Sequence, residues 1–194
     1  MTKVTIIGAT GSLGRAATKT ILEETESELT LFSRSANRLS DHVRVTKIAA
    51  SIFDKSALEQ AIGGSDLVFV ALSGDLPAMI TAVIDAMKAK TVRRIIFVSS
   101  YGIYGELPGQ NGRVDSILRS YRKAADILEQ TDLDYTILRP GWFDNSPDHS
   151  YQLIPKGEII YGNTISRAAI ADFVKDVALK TSRYQKENLG IVRD

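Results

Sequence analysis

Short, unbroken apolar runs rich in β-branched residues alternate along the chain with longer stretches whose apolar positions recur every three or four residues. The first kind of run predicts strands, at Lys3 to Ile7, Leu29 to Phe32, Val43 to Ile48, Leu67 to Leu72, Ile95 to Val98, Tyr135 to Leu138 and Leu189 to Val192. The second kind predicts amphipathic helices. Ile80, Val83, Ile84 and Met87 share one helical face, as do Val114, Ile117, Leu118, Tyr121, Ala125 and Leu128, and later Ile170, Phe173, Val174 and Val177. Strands that are apolar throughout, rather than alternating, have both faces covered, so the pattern predicts an α/β protein with a mostly parallel sheet between two helical layers. One long irregular stretch follows Pro140 and runs to about Thr164. Within it, residues 151–154 and 158–161 flank Pro155-Lys156-Gly157 and predict a small β-hairpin.

Composition narrows the picture without changing it. The chain has 194 residues, 44% of them hydrophobic, in the range of one domain, with no linker dividing it. Its 24 basic and 23 acidic side chains leave a formal charge of +1, which gives no reason to expect a nucleic-acid or anionic-membrane partner. No cysteine is present, which excludes disulfides, thiolate metal sites and cysteine nucleophiles. No apolar run approaches the roughly 20 residues that span a bilayer, and a strand begins almost at once, at Val4. The expectation is a cytoplasmic protein, monomeric or homodimeric. His42 and His149 are isolated in polar surroundings and suggest neither a metal site nor a catalytic triad.

In an open parallel sheet, ligands bind beyond the carboxyl ends of the strands, so the residues just after each strand carry the chemistry. After the first come Gly8, Ala9, Thr10, Gly11, Ser12, Leu13 and Gly14. Glycines spaced G-x-x-G-x-x-G allow a tight turn, a close backbone approach to a pyrophosphate, and close helix-to-strand packing. The helix that follows offers unpaired N–H groups and its positive dipole end to phosphates. A tight turn alone could also demand these glycines, but their place between a buried strand and a helix points to a dinucleotide. After the second strand stand Ser33, Arg34, Ser35, Ala36, Asn37 and Arg38. NAD sites usually carry an acid there for the ribose 2′-hydroxyl, whereas a 2′-phosphate calls for arginine. Two arginines beside hydroxyls therefore favour NADP(H) over NAD(H).

These motifs, with Ala50 to Asp54, residues 95–102 (Ile-Ile-Phe-Val-Ser-Ser-Tyr-Gly), residues 133–141 (Leu-Asp-Tyr-Thr-Ile-Leu-Arg-Pro-Gly) and Ile165-Ser166-Arg167 leading to Asp172, resemble the atypical short-chain dehydrogenase/reductase superfamily, in its NmrA-like and flavin/biliverdin-reductase-like branch. The resemblance implies a three-layer, doubly wound Rossmann fold over residues 1–194, with a variable substrate-side segment at about 141–165. It implies that Gly8 to Gly14 cradle the pyrophosphate and that Arg34 and Arg38 grip the 2′-phosphate. Ser51 and Ile52 would meet the adenine, and Leu72, Ser73 and Gly74 would line the ribose and the dinucleotide bridge. Pro140, Gly141 and Trp142 would face the nicotinamide end, and Ser99 would also contact the cofactor.

The superfamily's main branch pairs a tyrosine with a lysine four residues later. Here Tyr101 is followed at that spacing by Gly105, Tyr104 by Pro108 and Tyr121 by Ala125, so the dyad is absent. Ser100 and the Arg122-Lys123 pair remain as candidate catalytic groups, Ser100 for a substrate carbonyl or the nicotinamide amide, and Lys123, or Arg122 in another helix phase, for ribose hydroxyls. Each has a plain structural alternative, as a satisfied loop hydroxyl and a solvated helix face. Trp142 and Phe143 would wall a pocket for a flat ring or pack the loop. Arg139 reads as structural, paired with an acid or with main-chain carbonyls, and Ser166 as a helix N-cap. Taken together, the residues suggest a reductase passing hydride from NADPH to a small planar acceptor such as a quinone or flavin. The alternatives are an NADP(H)-sensing regulatory protein of NmrA-like type and a nucleotide-sugar epimerase or dehydratase, the last disfavoured by the short C-terminal region.

Overall fold

A computed structural model describes residues 1–193. In chain order the elements are β1 (Lys3–Ile7), α1 (Ser12–Glu24), β2 (Glu28–Ser33), β3 (Val45–Ala49), α2 (Lys55–Ile62), β4 (Leu67–Val70), α3 (Leu76–Ala89), β5 (Arg94–Val98), α4 (Arg119–Glu129), β6 (Asp134–Pro140), β7 (Trp142–Asp144), β8 (Gln152–Pro155), β9 (Thr164–Ser166), α5 (Arg167–Leu179) and β10 (Glu187–Val192). Short 3₁₀ turns occupy Ala36–Arg38 and Ser116–Leu118.

Eight strands form one sheet in the order β3-β2-β1-β4-β5-β6-β10-β8, parallel except for β8 at the edge. The strand order reverses between β1 and β4, which opens a crevice at their carboxyl ends. Every residue of β4 and β5 is buried, as the unbroken apolar runs predict. One face of the sheet packs under α2, α3 and α4 through Leu58, Ile62, Ile80, Val83, Met87 and Leu128. The other packs under α1 and α5 through Leu13, Ile21, Ile170, Phe173, Val174 and Val177. This is the doubly wound Rossmann architecture.

Helix starts follow local chemistry. Asp54, Asp75 and Ser166 accept hydrogen bonds from the N–H groups of Ala57, Ala78 and Ala169, capping α2, α3 and α5. By contrast α1 begins at Gly11 with no side-chain cap, so its first N–H groups stay available to a ligand. The buried Arg139 of β6 pairs with Glu106 at 2.5 Å and also reaches the carbonyl of Ile154, in the structural role read for it.

Five local expectations are corrected. The predicted hairpin does not form. Its first arm is β8, but β8 pairs antiparallel with β10, which offers a free edge. The second arm leaves the sheet because Ile160 is drawn into the core. Its N–H donates to the carbonyl of Glu106, and its side chain fills the space a Cβ on Gly190 would need, 2.6 Å from Ile160 Cδ1. The helix read from Val114 starts only at Arg119, and Ile117 stands 79% exposed instead of joining the apolar face. The third strand starts at Val45, leaving Val43 99% exposed, and the fourth ends at Val70, releasing Leu72 into the crevice. Finally, His149, isolated in the sequence, meets Asp172 of α5 at 2.5 Å.

Candidate functional site

The turn after β1 is built by its glycines. Gly8 adopts φ +89°, and a Cβ there would lie 2.0 Å from the carbonyl oxygen of Ala71. A Cβ on Gly14 would lie 2.4 Å from the oxygen of Gly8, so only glycine lets α1 close onto the loop. The Gly8 N–H donates to the carbonyl of Phe32, and that of Gly11 to Gly8, both at 3.0 Å. The fold thus holds the uncapped start of α1 against the end of β2. Replacing Gly14 with alanine is expected to destabilise the protein by about 1–3 kcal/mol, since helix and loop must separate. The thermal midpoint should fall, and the rise in that midpoint on adding dinucleotide should shrink with it.

Three cavities lie end to end over the carboxyl edge of the sheet. The first, about 300 Å³, is bounded by Gly8, Thr10, Gly11, Ser33, Arg34, Ser51, Ile52, Leu72 and Ser73. A second, about 230 Å³, shares Gly11, Leu72 and Ser73 with the first and adds Ser12, Leu13, Gly14, Ser99, Tyr121 and Phe143. The third, about 360 Å³, shares Ser99, Tyr121 and Phe143 with the second and adds Ser100, Tyr101, Pro140, Gly141 and Trp142. Shared walls make one track from Arg34 to Trp142. A larger hollow, about 510 Å³ between α1 and residues 39–45, shares no residue with this track.

The fold therefore brings nearly every residue read from the sequence to one crevice. Gly74 follows directly on Ser73 with φ +113°, beside the track rather than on its walls. Arg38 projects from the 3₁₀ turn after Arg34, exposed, and also outside the walls. Lys123 is not brought in: it is exposed and lines none of the three cavities. Neither is Arg122, which donates to Asp126 and to the carbonyl of Ile103 and stacks 4.4 Å from the Tyr104 ring centre. At about 100° per residue, the same helical turn aims Tyr121 at the crevice instead. Tyr121 is a wall residue whose sequence signal, a place on the apolar face of a helix without a lysine four residues on, marks no site. Leu107, Gln110 and Asp115, also wall residues, come from a loop with no hydrophobic period.

The polar chemistry of the track is graded. Ser33 Oγ is buried with no hydrogen-bond partner, and neither the Arg34 nor the Arg38 guanidinium makes a hydrogen bond or ion pair among the described residues, the main-chain N–H of Arg38 alone donating, to the Ser35 carbonyl. An orphaned hydroxyl, two unpaired guanidinium groups and open helix N–H groups fit a phosphate-bearing dinucleotide. At the other end the donors are hydroxyls. Ser100 Oγ donates to the Tyr101 carbonyl at 3.2 Å, and the Tyr101 phenol donates to Asn163 Oδ1 at 2.9 Å. Burial pushes the Tyr101 pKa above the ordinary phenol value, so this phenol stays protonated at neutral pH. Among the described residues, no group of three or more His, Cys, Asp or Glu could hold a metal ion, and no helix is long and apolar enough to cross a membrane.

The profile of a family described as NAD(P)H-binding matches residues 8–181. The chain belongs to that NAD(P)H-binding family. Solved relatives of this NAD(P)H-binding protein agree with its geometry. A short-chain dehydrogenase/reductase from Veillonella parvula DSM 2008, solved in complex with NADP, is 29% identical with a TM-score of 0.91, over 99% of this chain and 94% of that one. A Rossmann-fold NAD(P)-binding family protein from Shigella flexneri is 33% identical with a TM-score of 0.88, over 100% and 94%. ChuY, an anaerobilin reductase from Escherichia coli O157:H7, shares the fold at 20% identity and a TM-score of 0.84, over 98% and 97%. No curated protein gives a significant sequence match.

Proposed function

We propose that the protein is an NADPH-dependent reductase acting on a small planar acceptor, with a quinone or a flavin as the best-fitting class. The observation that carries this reading is the continuous track, which runs from unpaired arginines, past the glycine loop, into a chamber walled by Tyr101, Tyr121, Trp142 and Phe143. Arg34 and Arg38 would hold the 2′-phosphate, Gly11 to Gly14 the pyrophosphate, and Ser51 and Ile52 the adenine. When bound, the dinucleotide supplies a hydride. The chain's part is to hold a flat ring between aromatic walls and exclude water around it. It also offers hydroxyl donors at Ser100, Tyr101 and Tyr121. An acceptor that solvent can protonate needs little more, because positioning supplies most of the rate. This accounts for an intact dinucleotide crevice in a chain without the Tyr-x-x-x-Lys pair.

The test is NADPH oxidation with a panel of quinones and free flavin, in wild type and in the Ser100→Ala and Tyr121→Phe variants. Turnover is expected with at least one acceptor, with kcat/KM falling about tenfold or more when a donor that contacts the acceptor is removed. Tight NADP(H) binding without turnover of any acceptor would refute the reductase and leave a redox-sensing binding protein.

A further inference from the structure

The chamber at the end of the track is apolar and aromatic, and its walls carry a single ionisable acid or base apart from the two phenols. That group is Asp115, which precedes the 3₁₀ turn Ser116–Leu118. Its carboxylate makes no hydrogen bond or ion pair among the described residues, and only its carbonyl is engaged, by the N–H of Leu118. Among the described residues, no arginine, lysine or histidine lines the chamber. The nearby cations stand outside the walls, and the Arg167 Nε among them is buried without a partner. Arg122 is bound to Asp126 at 2.9 Å. Arg167 lies 5.2 Å from the Phe143 ring centre and donates to the Asp144 carbonyl and to Asn145 Oδ1. Arg113 and Arg119 stand exposed on either side of Asp115 in sequence, outside the walls.

Resting on the reading of this chamber as the acceptor's, we propose that Asp115 sets the charge class of the acceptor. The chamber takes flat rings that are neutral or cationic and turns away those bearing a sulfonate, carboxylate or phosphate. Among the described residues the walls offer an anionic substituent neutral hydroxyl and amide donors but no cation, and the one fixed charge on the walls, Asp115, repels it. Because Asp115 is exposed, salt screens the effect, so discrimination should be moderate, about three- to tenfold in affinity at low salt, and should shrink at high salt.

Trp142 is the only tryptophan in the chain and stands at the chamber mouth, so tryptophan emission reports occupancy without any turnover. The probes are naphthoquinone, naphthoquinone sulfonate and N-methylquinolinium, titrated into the NADP⁺-loaded protein. Wild type should bind the neutral and cationic probes and hold the sulfonate about three- to tenfold more weakly. Asp115→Asn should narrow that gap and Asp115→Lys should reverse it. Equal affinity for neutral and sulfonated probes in wild type, or an order unmoved by Asp115→Lys, overturns the proposal. Charge discrimination in binding without NADPH oxidation would sink the reductase reading and leave this one standing. Turnover without discrimination would do the opposite, and failure of all three probes to bind would overturn both.

Discussion

Replacing Glu106 with alanine is expected to remove about 3–5 kcal/mol of folding stability, because it strands a buried charge. Arg139 on β6 is fully buried, and Glu106 is nearly so. The carboxylate does more than neutralise the guanidinium. Its oxygens also accept the N–H groups of Gly102 at 3.0 Å and Tyr104 at 2.7 Å, which folds the segment after β5 back onto itself. Arg139 in turn donates to Asn188 Oδ1 at 2.8 Å, joining β6 to β10. Alanine would leave a buried guanidinium without its counter-ion, held only by Asn188 and the Ile154 carbonyl, and two main-chain donors without acceptors. Replacing both members by apolar residues, Arg139→Met with Glu106→Leu, should cost less than Glu106→Ala alone, since no charge is then left unpaired. Urea unfolding of the single and double variants decides the point. A loss under about 1 kcal/mol for Glu106→Ala would be the behaviour of a surface pair and would refute the role assigned here. The same loop supplies Tyr101, Leu107 and Gln110 to the aromatic chamber proposed for the acceptor. Any surviving Glu106→Ala protein should therefore bind acceptors more weakly than it binds dinucleotide.

That pair marks where the sequence stops being readable. Arg139 announces itself as a buried structural arginine by sitting in an apolar strand before Pro140, but nothing local says that its acid lies 33 residues earlier. The same division runs through the whole molecule. β1, β4 and β5 are legible because strands covered on both faces must be apolar at every position, which leaves an unbroken run. β7 and β9, three residues each, exist only through their pairing with one another, Trp142 with Thr164 to Asp144 with Ser166, and no periodicity foretells that. The hairpin failed for a related reason. Turn chemistry at Pro155-Lys156-Gly157 is local, whereas the edge of β10 and the pocket over Gly190 are supplied from more than 30 residues away.

Within the crevice the glycine-loop end is legible in the sequence and the aromatic chamber is not, and the cause is physical. Phosphate recognition uses backbone, so it needs glycines in a fixed pattern at one turn. The chamber instead uses side chains from the 101–118 loop, the first turns of α4 and the start of β7. Which residue of Tyr121, Arg122 and Lys123 faces inward depends on helix phase. That phase is set by packing of Ala124, Ala125 and Leu128, which are buried, and not by the polar residues themselves.

Changing both Arg34 and Arg38 to glutamate is expected to weaken NADPH binding by at least a hundredfold while costing NADH about threefold or less. Each charge-assisted hydrogen bond to a phosphate contributes about 1.5–3 kcal/mol, so loss of two exceeds 3 kcal/mol before repulsion by the new carboxylates is counted. Arg34 follows β2 directly, at the mouth of the adenine-end cavity, and Arg38 closes the 3₁₀ turn that follows. Neither guanidinium is spent on an internal partner, so its removal frees no buried group, and the folded state should tolerate the change. NADH carries a 2′-hydroxyl at the same place, to which a glutamate is a suitable acceptor, so its affinity has little to lose. The single Arg34→Glu change should already separate the two dinucleotides by about tenfold. Calorimetric titration of both dinucleotides at matched ionic strength measures this directly, and raising the salt should weaken NADPH binding to the wild type more than NADH binding. Equal losses for the two would mean that the arginines belong to a solvated turn and that the 2′-phosphate is read elsewhere.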